Sequence, residues 1–456
     1  MDGYYTWMLV SASLVLLMTG PGLALFYGGM SRVGSVLNMM MMSFSALAVV
    51  GVVYVLWGWS MTYSSTVPDL DGHTGADVAR LFADPFRQFG LRGTDPHDYV
   101  FVAFQLTFAV IAAALVSGAI ADRAKFSAWL VFVPLWVTLS YFPLAHMVWG
   151  GGFLSAVPNG LADLVFSGEH GAAVAPVDYA GGTVVHVNAG VAGLVLAVLI
   201  GKRLGFPREP MKPHNLTLTM IGAGLLWFGW FGFNAGSIVL TGASEKADVD
   251  QFMTETGLVW LNTTVATCAA MLGWLAVERL RDGKATSLGA ASGVVAGLVA
   301  VTPACGALSP VGSIALGLVA GALCALAVGL KYRFGYDDSL DVVGVHLVGG
   351  IVGTVGVGFL ATSGGLLYGD GLRQLVVQVL VTLFAMAWSA VATLVVGLLV
   401  KVLVGWRVSE EEELAGLDLT EHGESAYDFT NASAGRRGVL PVGPRERVLA
   451  KEGARA

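Results

Sequence analysis

The chain has 456 residues, of which 55% are hydrophobic and only 12% are charged. A soluble domain carries roughly 25% charged residues, so this chain cannot cover its surface with charge and must have lipid as its solvent. The formal net charge of −7 provides no basic face for nucleic acid, so no nucleic-acid partner is expected.

Eleven apolar stretches follow one another along the chain, and each is near the roughly 20 residues that cross a bilayer. They cover residues 6–29, 38–60, 99–121, 126–148, 181–201, 216–237, 255–278, 286–304, 309–330, 342–360 and 373–404. The first lacks the basic start and cleavage pattern of a signal peptide, so it is interpreted as a membrane span. We therefore predict a membrane domain at 1–405, an acidic tail at 406–430 and a disordered extension at 431–456.

Lysine and arginine are divided unequally between the two sets of loops. Fourteen follow the odd-numbered spans, whereas five follow the even-numbered spans. Because cytoplasmic loops carry the excess of positive residues, the N-terminus is predicted outside and the C-terminal tail in the cytoplasm. The three cysteines have no CxxC or Cys/His spacing, which predicts neither a disulfide framework nor a zinc site.

Two histidines stand in similar frames near the starts of spans five and ten. His186 lies in TVVHVNAGVAG and His346 lies in VGVHLVGGIVG. The two spans cross in opposite directions, so repeats of spans 1–5 and 6–10 would be inverted, as in many transporters. If the repeats bring the histidines together, the pair shares at most one proton in an apolar setting. Such a path suits a small solute that can gain or lose a proton. Each histidine alone is equally well explained as a buried, hydrogen-bonded structural residue.

Two acidic residues lie close to these histidines in the sequence. Asp178 is eight residues before His186, and Asp341 is five residues before His346. An aspartate at the start of a helix is typically a cap that also suits the helix dipole. A structural role at the vestibule is therefore favoured over direct contact with a cation.

Aromatic residues cluster at the predicted outer ends of spans three, four and six. They are Phe104, Phe108, Trp149, Trp227, Trp230, Phe231 and Phe233. Most are explained as the aromatic belt of a membrane protein. A cage of Trp and Phe faces also attracts a small cation by about 0.5–2 kcal/mol per contact, and Ser237 is placed to add a hydrogen bond.

Several long motifs that contain these residues resemble the ammonium transporter (Amt/Mep/Rh) family, and its bacterial Amt branch in particular. They are GLALFYGG, FSAWLVFVPLWVTLSYFPLAHMVWGGG, DYAGGTVVHVNAGVAGLV, GWFGFNAGS, AVTPACG and DVVGVHLVGGIVG. The resemblance covers residues 6 to about 430. It implies an all-α integral membrane protein with eleven transmembrane helices, an inverted five-plus-five helix repeat, and a homotrimer with one pore per protomer.

The resemblance also implies roles for individual residues in ammonium transport. The site that recruits ammonium would be Phe108, Trp149 and Ser237, with Ala180 beside it. Phe108 and Phe233 would close the pore, below which His186, His346 and Trp230 would pass ammonia and relay protons. Asp178 would be essential at the vestibule, by orienting backbone carbonyls such as that of Ala180. No enzyme activity, metal or cofactor is implied, and whether a proton travels separately is left open.

The acidic tail resembles the regulatory cytoplasmic tail of Amt proteins. The matching residues are Gly416, Asp418, His422, Gly423, Glu424 and Tyr427. A trimeric PII-type nitrogen regulatory protein is the implied partner, and the cell membrane is the implied location.

Three other functions are compatible with parts of the sequence. An ammonium sensor acting through a PII-type partner has the same fold, although sensors usually add a signalling domain for which this tail is too short. A membrane metalloenzyme would use His186, His346 and Asp178 as ligands, although no two of them have ligand spacing on one helix face. An Rh-like gas channel would lack the outer Trp149.

Overall fold

The computed structural model describes residues 2–64, 79–209 and 211–427. Within these ranges the chain forms helices and isolated bridges but no β-strand. Part of the outer loop at 61–98 and the whole extension predicted at 431–456 lie outside the described residues.

Eleven apolar helices, α1 to α11, follow one another in the described part of the chain. They are Gly3–Met30, Val33–Tyr63, Pro96–Ile120, Phe126–Trp149, Gly182–Ile200, Leu216–Ala235, Glu245–Asp282, Ser287–Val301, Pro310–Phe334, Val343–Leu360 and Arg373–Leu403. Ten of them are long and apolar enough to cross a membrane, whereas α8 has only 15 residues. The protein is therefore an all-α, multi-pass membrane protein.

Shorter helices lie between and after these spans. Leu161–Val165 follows α4, and the tail forms α12, Glu410–Ala415, and α13, Leu417–His422. Single 3₁₀ turns occupy Phe89–Leu91 and Leu366–Tyr368.

The helix bounds agree with the predicted spans to within a few residues at most ends, but α7 is an exception. It begins at Glu245, whereas its apolar stretch begins at 255. The Ser244 hydroxyl accepts a hydrogen bond from the Ala247 N–H, and Glu245 and Asp248 lie in the first turn. Capping and the helix dipole extend this helix through polar residues that hydropathy does not detect.

Five of the described helices contain a wide, π-helical turn. The turns are Met18–Leu23, Tyr54–Gly58, Val137–Tyr141, Gly182–Val187 and Val343–Leu347. Irregular backbone is tolerated at membrane depth where protein buries it or where it lines a cavity. The last two turns begin α5 and α10 and contain His186 and His346, so the two histidines occupy matching irregular positions.

Helices α5 and α10 cross at glycines, which have no side chain to keep the two backbones apart. A Cβ atom on Gly190 would lie 2.5 Å from the backbone nitrogen of Leu347, and one on Gly350 would lie 3.1 Å from that of Val187. Each glycine is four residues after one histidine and packs against the residue that follows the other histidine. This reciprocal contact has the approximate two-fold symmetry that the predicted inverted repeat requires.

Candidate functional site

A column of aromatic rings leads from one surface of the helix bundle towards the histidines. The rings of Phe108 on α3 and Phe233 on α6 are stacked, with centroids 4.0 Å apart and planes 12° apart. Trp149, at the end of α4, meets Phe108 edge-to-face at 6.0 Å. Both phenylalanines are buried and Trp149 is half-buried, so Trp149 lies on the accessible side of the stack.

Polar groups surround the accessible side of this stack. The Trp149 indole N–H donates to the Asp178 carbonyl at 2.9 Å, which fixes the orientation of the ring. The Ser237 hydroxyl donates to the Phe233 carbonyl at 2.8 Å, so its oxygen keeps acceptor capacity for a ligand. Ala180 is fully buried two residues after Asp178. Trp149, through its ring contact with Phe108, and Ser237, through its hydrogen bond to Phe233, therefore both adjoin the phenylalanine stack, and both are half-buried.

His186 and His346 lie beyond the phenylalanine stack. Their Nδ1 atoms are 3.4 Å apart, and their rings are nearly parallel with centroids 5.5 Å apart. His186 also stacks on Trp230 at 5.4 Å and lies 6.2 Å from Phe233. Its Nε2 atom has no hydrogen-bond partner in the described protein, although the ring is fully buried. A buried unpaired ring nitrogen is costly, and this one retains its hydrogen-bonding capacity.

The Asp178 carboxylate binds the beginning of α5 instead of facing this column. Its Oδ1 accepts the Gly181 N–H at 3.1 Å, and its Oδ2 accepts the N–H groups of Thr183 and Val184 at 2.9 and 3.3 Å and the Thr183 hydroxyl. Gly181 has φ +110°, a conformation that favours glycine. The predicted structural role of Asp178 agrees with this geometry.

A different residue caps α10. Asp338 accepts the N–H groups of Val342 and Val343 at 3.1 and 2.8 Å. It lies eight residues before His346, as Asp178 lies eight before His186, and this equal spacing is the signal in the sequence that could have identified it. The interpretation of Asp341 as a cap is wrong, because its carboxylate pairs with Lys331 Nζ at 2.6 Å.

Comparison with known proteins identifies the family of this chain, and the matches cover nearly its whole length. The model of the Ammonium Transporter Family matches residues 6–427. An ammonium transporter from Mycobacterium bovis is 50% identical, over 98% of this chain and 93% of that protein, and one from Aquifex aeolicus is 44% identical, over 94% of each. This chain belongs to the ammonium transporter family.

Solved structures of family members share its fold. The crystal structure of Candida albicans Mep2 is 30% identical, with a TM-score of 0.75, and the match covers 94% of this chain and 90% of that one. A structure titled Sensor Amt Protein is 26% identical, with a TM-score of 0.77, over 92% and 98% of the two chains. The family is one of membrane transporters of ammonium and not of enzymes.

The tail packs beneath the loops that follow the odd-numbered helices. Asp418 accepts the Asn38 N–H at 2.8 Å, and His422 Nε2 lies 3.0 Å from the Asn38 amide oxygen. Gly416, at φ +97°, lies against Gly34, where a Cβ atom would be 2.8 Å from the Gly34 carbonyl oxygen. These contacts join α12 and α13 to the first turns of α2.

The remaining residues predicted for the tail form its end. Gly423 has φ +69° and terminates α13, and the Glu424 N–H donates to the Asp418 carbonyl at 3.0 Å. The Tyr427 hydroxyl lies 3.0 Å from Nε2 of His214, in the loop before α6. Since Asn38 and His214 follow α1 and α5, the tail shares a face with the chain segments that follow these two helices.

Buried charges on this same face were missed by the sequence analysis. Arg123 donates to the carbonyls of Gly201 and Asp337 at 2.9 and 2.6 Å and to the Ser339 hydroxyl at 2.7 Å. Arg203 pairs with Asp337 at 3.4 Å, with both side chains buried. Burial lowers the pKa of Arg123 to about 10, which still leaves it charged at neutral pH. These residues were counted only as loop cations, because the sequence does not show that they fold inward.

The arrangement gives no support to the alternative metal site. In the described part of the chain, no three His, Cys, Asp or Glu side chains converge as ligands. Asp178 is directed at backbone N–H groups of α5, and the histidines are directed at each other.

Proposed function

We propose that the protein recruits ammonium at Phe108, Trp149 and Ser237 and passes ammonia along the histidine pair. The ion releases its proton to water outside the phenylalanine stack or, in electrogenic transport, to the histidine pair. The observation that carries the proposal is the order of the parts: a cation pocket, a stacked phenylalanine pair at 4.0 Å, and two histidines 3.4 Å apart. Trp149 and Ser237 are half-buried, whereas the phenylalanines and the histidines are buried.

Desolvation explains why the proton must be removed. Moving an ammonium ion through an apolar pore without its water costs many kcal/mol, because an isolated charge is strongly disfavoured in a low dielectric. The rings of Phe108 and Trp149 replace part of the water shell by cation–π attraction. Neutral ammonia then passes the stack, whereas potassium has no proton to lose and is excluded.

Below the phenylalanine stack, the proposal requires polar groups along the path of ammonia, and the two histidines provide them. His186 Nε2 is unpartnered and buried, so it is available to ammonia. The Nδ1–Nδ1 distance of 3.4 Å allows one ring to donate to the other, and a shared proton could move along the pair. Electrogenic transport, with the proton crossing separately, follows if the pair relays that proton.

Replacement of Trp149 tests the recruitment step. Trp149→Leu keeps an apolar side chain but removes the π face, so the KM for ammonium uptake is expected to rise about 2- to 30-fold, the equivalent of about 0.5–2 kcal/mol. Uptake into proteoliposomes measures it. The matched control is Trp260→Leu, because Trp260 is exposed on α7 and stacks on Phe231. Absence of ammonium uptake by the wild type would refute the function, and an unchanged KM in Trp149→Leu would refute the site.

The excess of lysine and arginine in the loops after odd-numbered helices supports an orientation in the cell membrane with the N-terminus outside and the tail in the cytoplasm. The aromatic pocket then faces outside, where an uptake system meets its substrate. We also propose the homotrimer with one pore per protomer, which mass measurement of the purified protein would test.

The packing of the tail supports a regulatory role. Glu413 accepts the Leu204 N–H at 2.6 Å and pairs with Arg407 at 2.7 Å, and Glu421 accepts the Phe126 N–H at 3.0 Å. The tail thereby reaches the loops after α3 and α5 as well as the start of α2. A PII-type protein that binds this face would contact both the tail and the loops. Sensing through such a partner is the second candidate function. Its support is the similarity of this chain to the structure titled Sensor Amt Protein.

A further inference from the structure

The indole of Trp230 is held at its N–H edge by Thr302, while its face stacks on His186. Its N–H donates to the Thr302 hydroxyl oxygen at 2.8 Å, and Thr302 lies directly after α8. Trp230 is 2% exposed and Thr302 is fully buried. A buried indole N–H needs an acceptor, and Thr302 provides it from a neighbouring helix.

The Thr302 hydroxyl is itself fixed. It donates its single proton to the Leu298 carbonyl at 2.7 Å, and the amide oxygen of Asn234 lies 3.3 Å away. Asn234 donates to the Thr263 hydroxyl at 3.0 Å, and Thr263 donates to the Val259 carbonyl at 2.8 Å. These bonds tie α6, α7 and α8 together at the depth of the pore.

Helix α6 carries the residues on which this network acts. Trp230 stacks on His186 with an interplanar angle of 18° and meets Phe233 edge-to-face at 5.4 Å. Asn234 directly follows Phe233, and its carbonyl accepts the Ser237 N–H at 3.1 Å. The polar network therefore contacts the part of α6 that carries both Phe233 of the phenylalanine stack and Trp230, the ring that stacks on His186.

We propose that Thr302 and Asn234 are positioning residues that hold the Trp230 ring flat against His186 and thereby maintain the exclusion of metal cations. This inference rests on the proposed function. With the N–H held by Thr302, Trp230 presents only carbon to the pore. If Thr302 no longer accepts it, the buried N–H must turn to another acceptor, which tilts the ring and exposes a polar edge to the pore.

Replacement of Thr302 separates hydrogen bonding from packing. Thr302→Val keeps the shape but removes the acceptor, and Thr302→Ser keeps the acceptor. Thr264→Val is the matched control, because Thr264 is half-buried on α7 and its hydroxyl donates to the Trp260 carbonyl of its own helix. Currents evoked by ammonium and by potassium are measured in proteoliposomes on a solid-supported membrane.

We expect Thr302→Val to lower the ratio of ammonium to potassium current about tenfold, as loss of a buried hydrogen bond implies. Thr302→Ser and Thr264→Val keep the wild-type ratio. In a Trp230→Phe background, which has no indole N–H, Thr302→Val causes no further change, because the two residues act through one bond. If Thr302→Val does not fold, Thr302→Ala carries the same expectation.

Two outcomes distinguish this inference from the proposed function. A wild type without ammonium uptake into proteoliposomes would remove the proposed function. A selective wild type with an equally selective Thr302→Val, or an equal effect of Thr302→Val in both backgrounds, would overturn the positioning role and leave the proposed function intact.

Discussion

Asp178 and Asp338 perform the same structural task at the beginnings of α5 and α10. Each carboxylate accepts N–H groups that have no carbonyl partner within the helix. A negative charge there is favoured by the helix dipole and opposed by burial. The two aspartates therefore fix the irregular turns that contain the histidines, and their importance to transport need not involve contact with the solute.

Asp338 gives the protein a testable dependence of stability on pH. Burial raises the pKa of Asp338 from 3.8 to about 6, an effect to which nearby Asp341 adds and which Lys331 opposes. Because the pKa in the folded state exceeds the unfolded value, this group stabilises the fold at low pH and loses that contribution as pH rises through about 6. Asp338→Asn should remove this part of the pH dependence.

The measurement is the apparent melting temperature in detergent between pH 4 and 7. The difference between wild type and Asp338→Asn is expected to shift in favour of the wild type as pH falls. Asp250→Asn, at an exposed position on α7, is the control and should follow the wild type. A constant difference between wild type and Asp338→Asn at all pH values would contradict the prediction.

The crossing of α5 and α10 is the element that brings the two histidines together. An added methyl group at Gly190 would lie within 2.6 Å of the Leu347 backbone and must displace α10. Overpacking of this kind typically costs about 1–3 kcal/mol. Gly190→Ala should therefore lower the melting temperature and abolish most ammonium uptake.

Gly51→Ala is the matched control for this crossing. A Cβ atom on Gly51 meets nothing within 4 Å on α2, and alanine favours a helix over glycine by about 1 kcal/mol. Gly51→Ala should have equal or higher stability and normal uptake. If Gly190→Ala behaves in the same way, α5 and α10 are not as close as described.

The tail forms a second element whose attachment can be tested. Asp418 is 2% exposed and accepts the Asn38 N–H at the beginning of α2. Asp418→Ala removes an acceptor at a helix start, a loss of about 0.5–2 kcal/mol, and should make the tail more sensitive to limited proteolysis and change the rate of ammonium uptake. Glu411→Ala, at an exposed side chain of α12, should do neither. Release of the tail without any change in uptake would argue against regulation.

At the scale of the whole molecule, hydropathy predicted the membrane helices well because each span is governed by local composition. The family motifs also identified Phe108, Trp149, Phe233, His186 and His346, which the structure brings into one column. Asp338 was missed because a nearer aspartate, Asp341, occupied the expected position. The roles of Thr302 and Gly190 depend on which helices pack together, and this long-range information is not visible in a single sequence.

The central claim is that neutral ammonia passes His186 and His346 while the histidine pair relays its proton. Currents on a solid-supported membrane after ammonium and potassium pulses, compared between wild type and His186→Ala, test it most directly. The wild type should give an ammonium current far larger than its potassium current, and the variant should lose the first or gain the second, because the polar path for proton and solute is interrupted. A His186→Ala variant that keeps both its ammonium current and its exclusion of potassium would contradict the account.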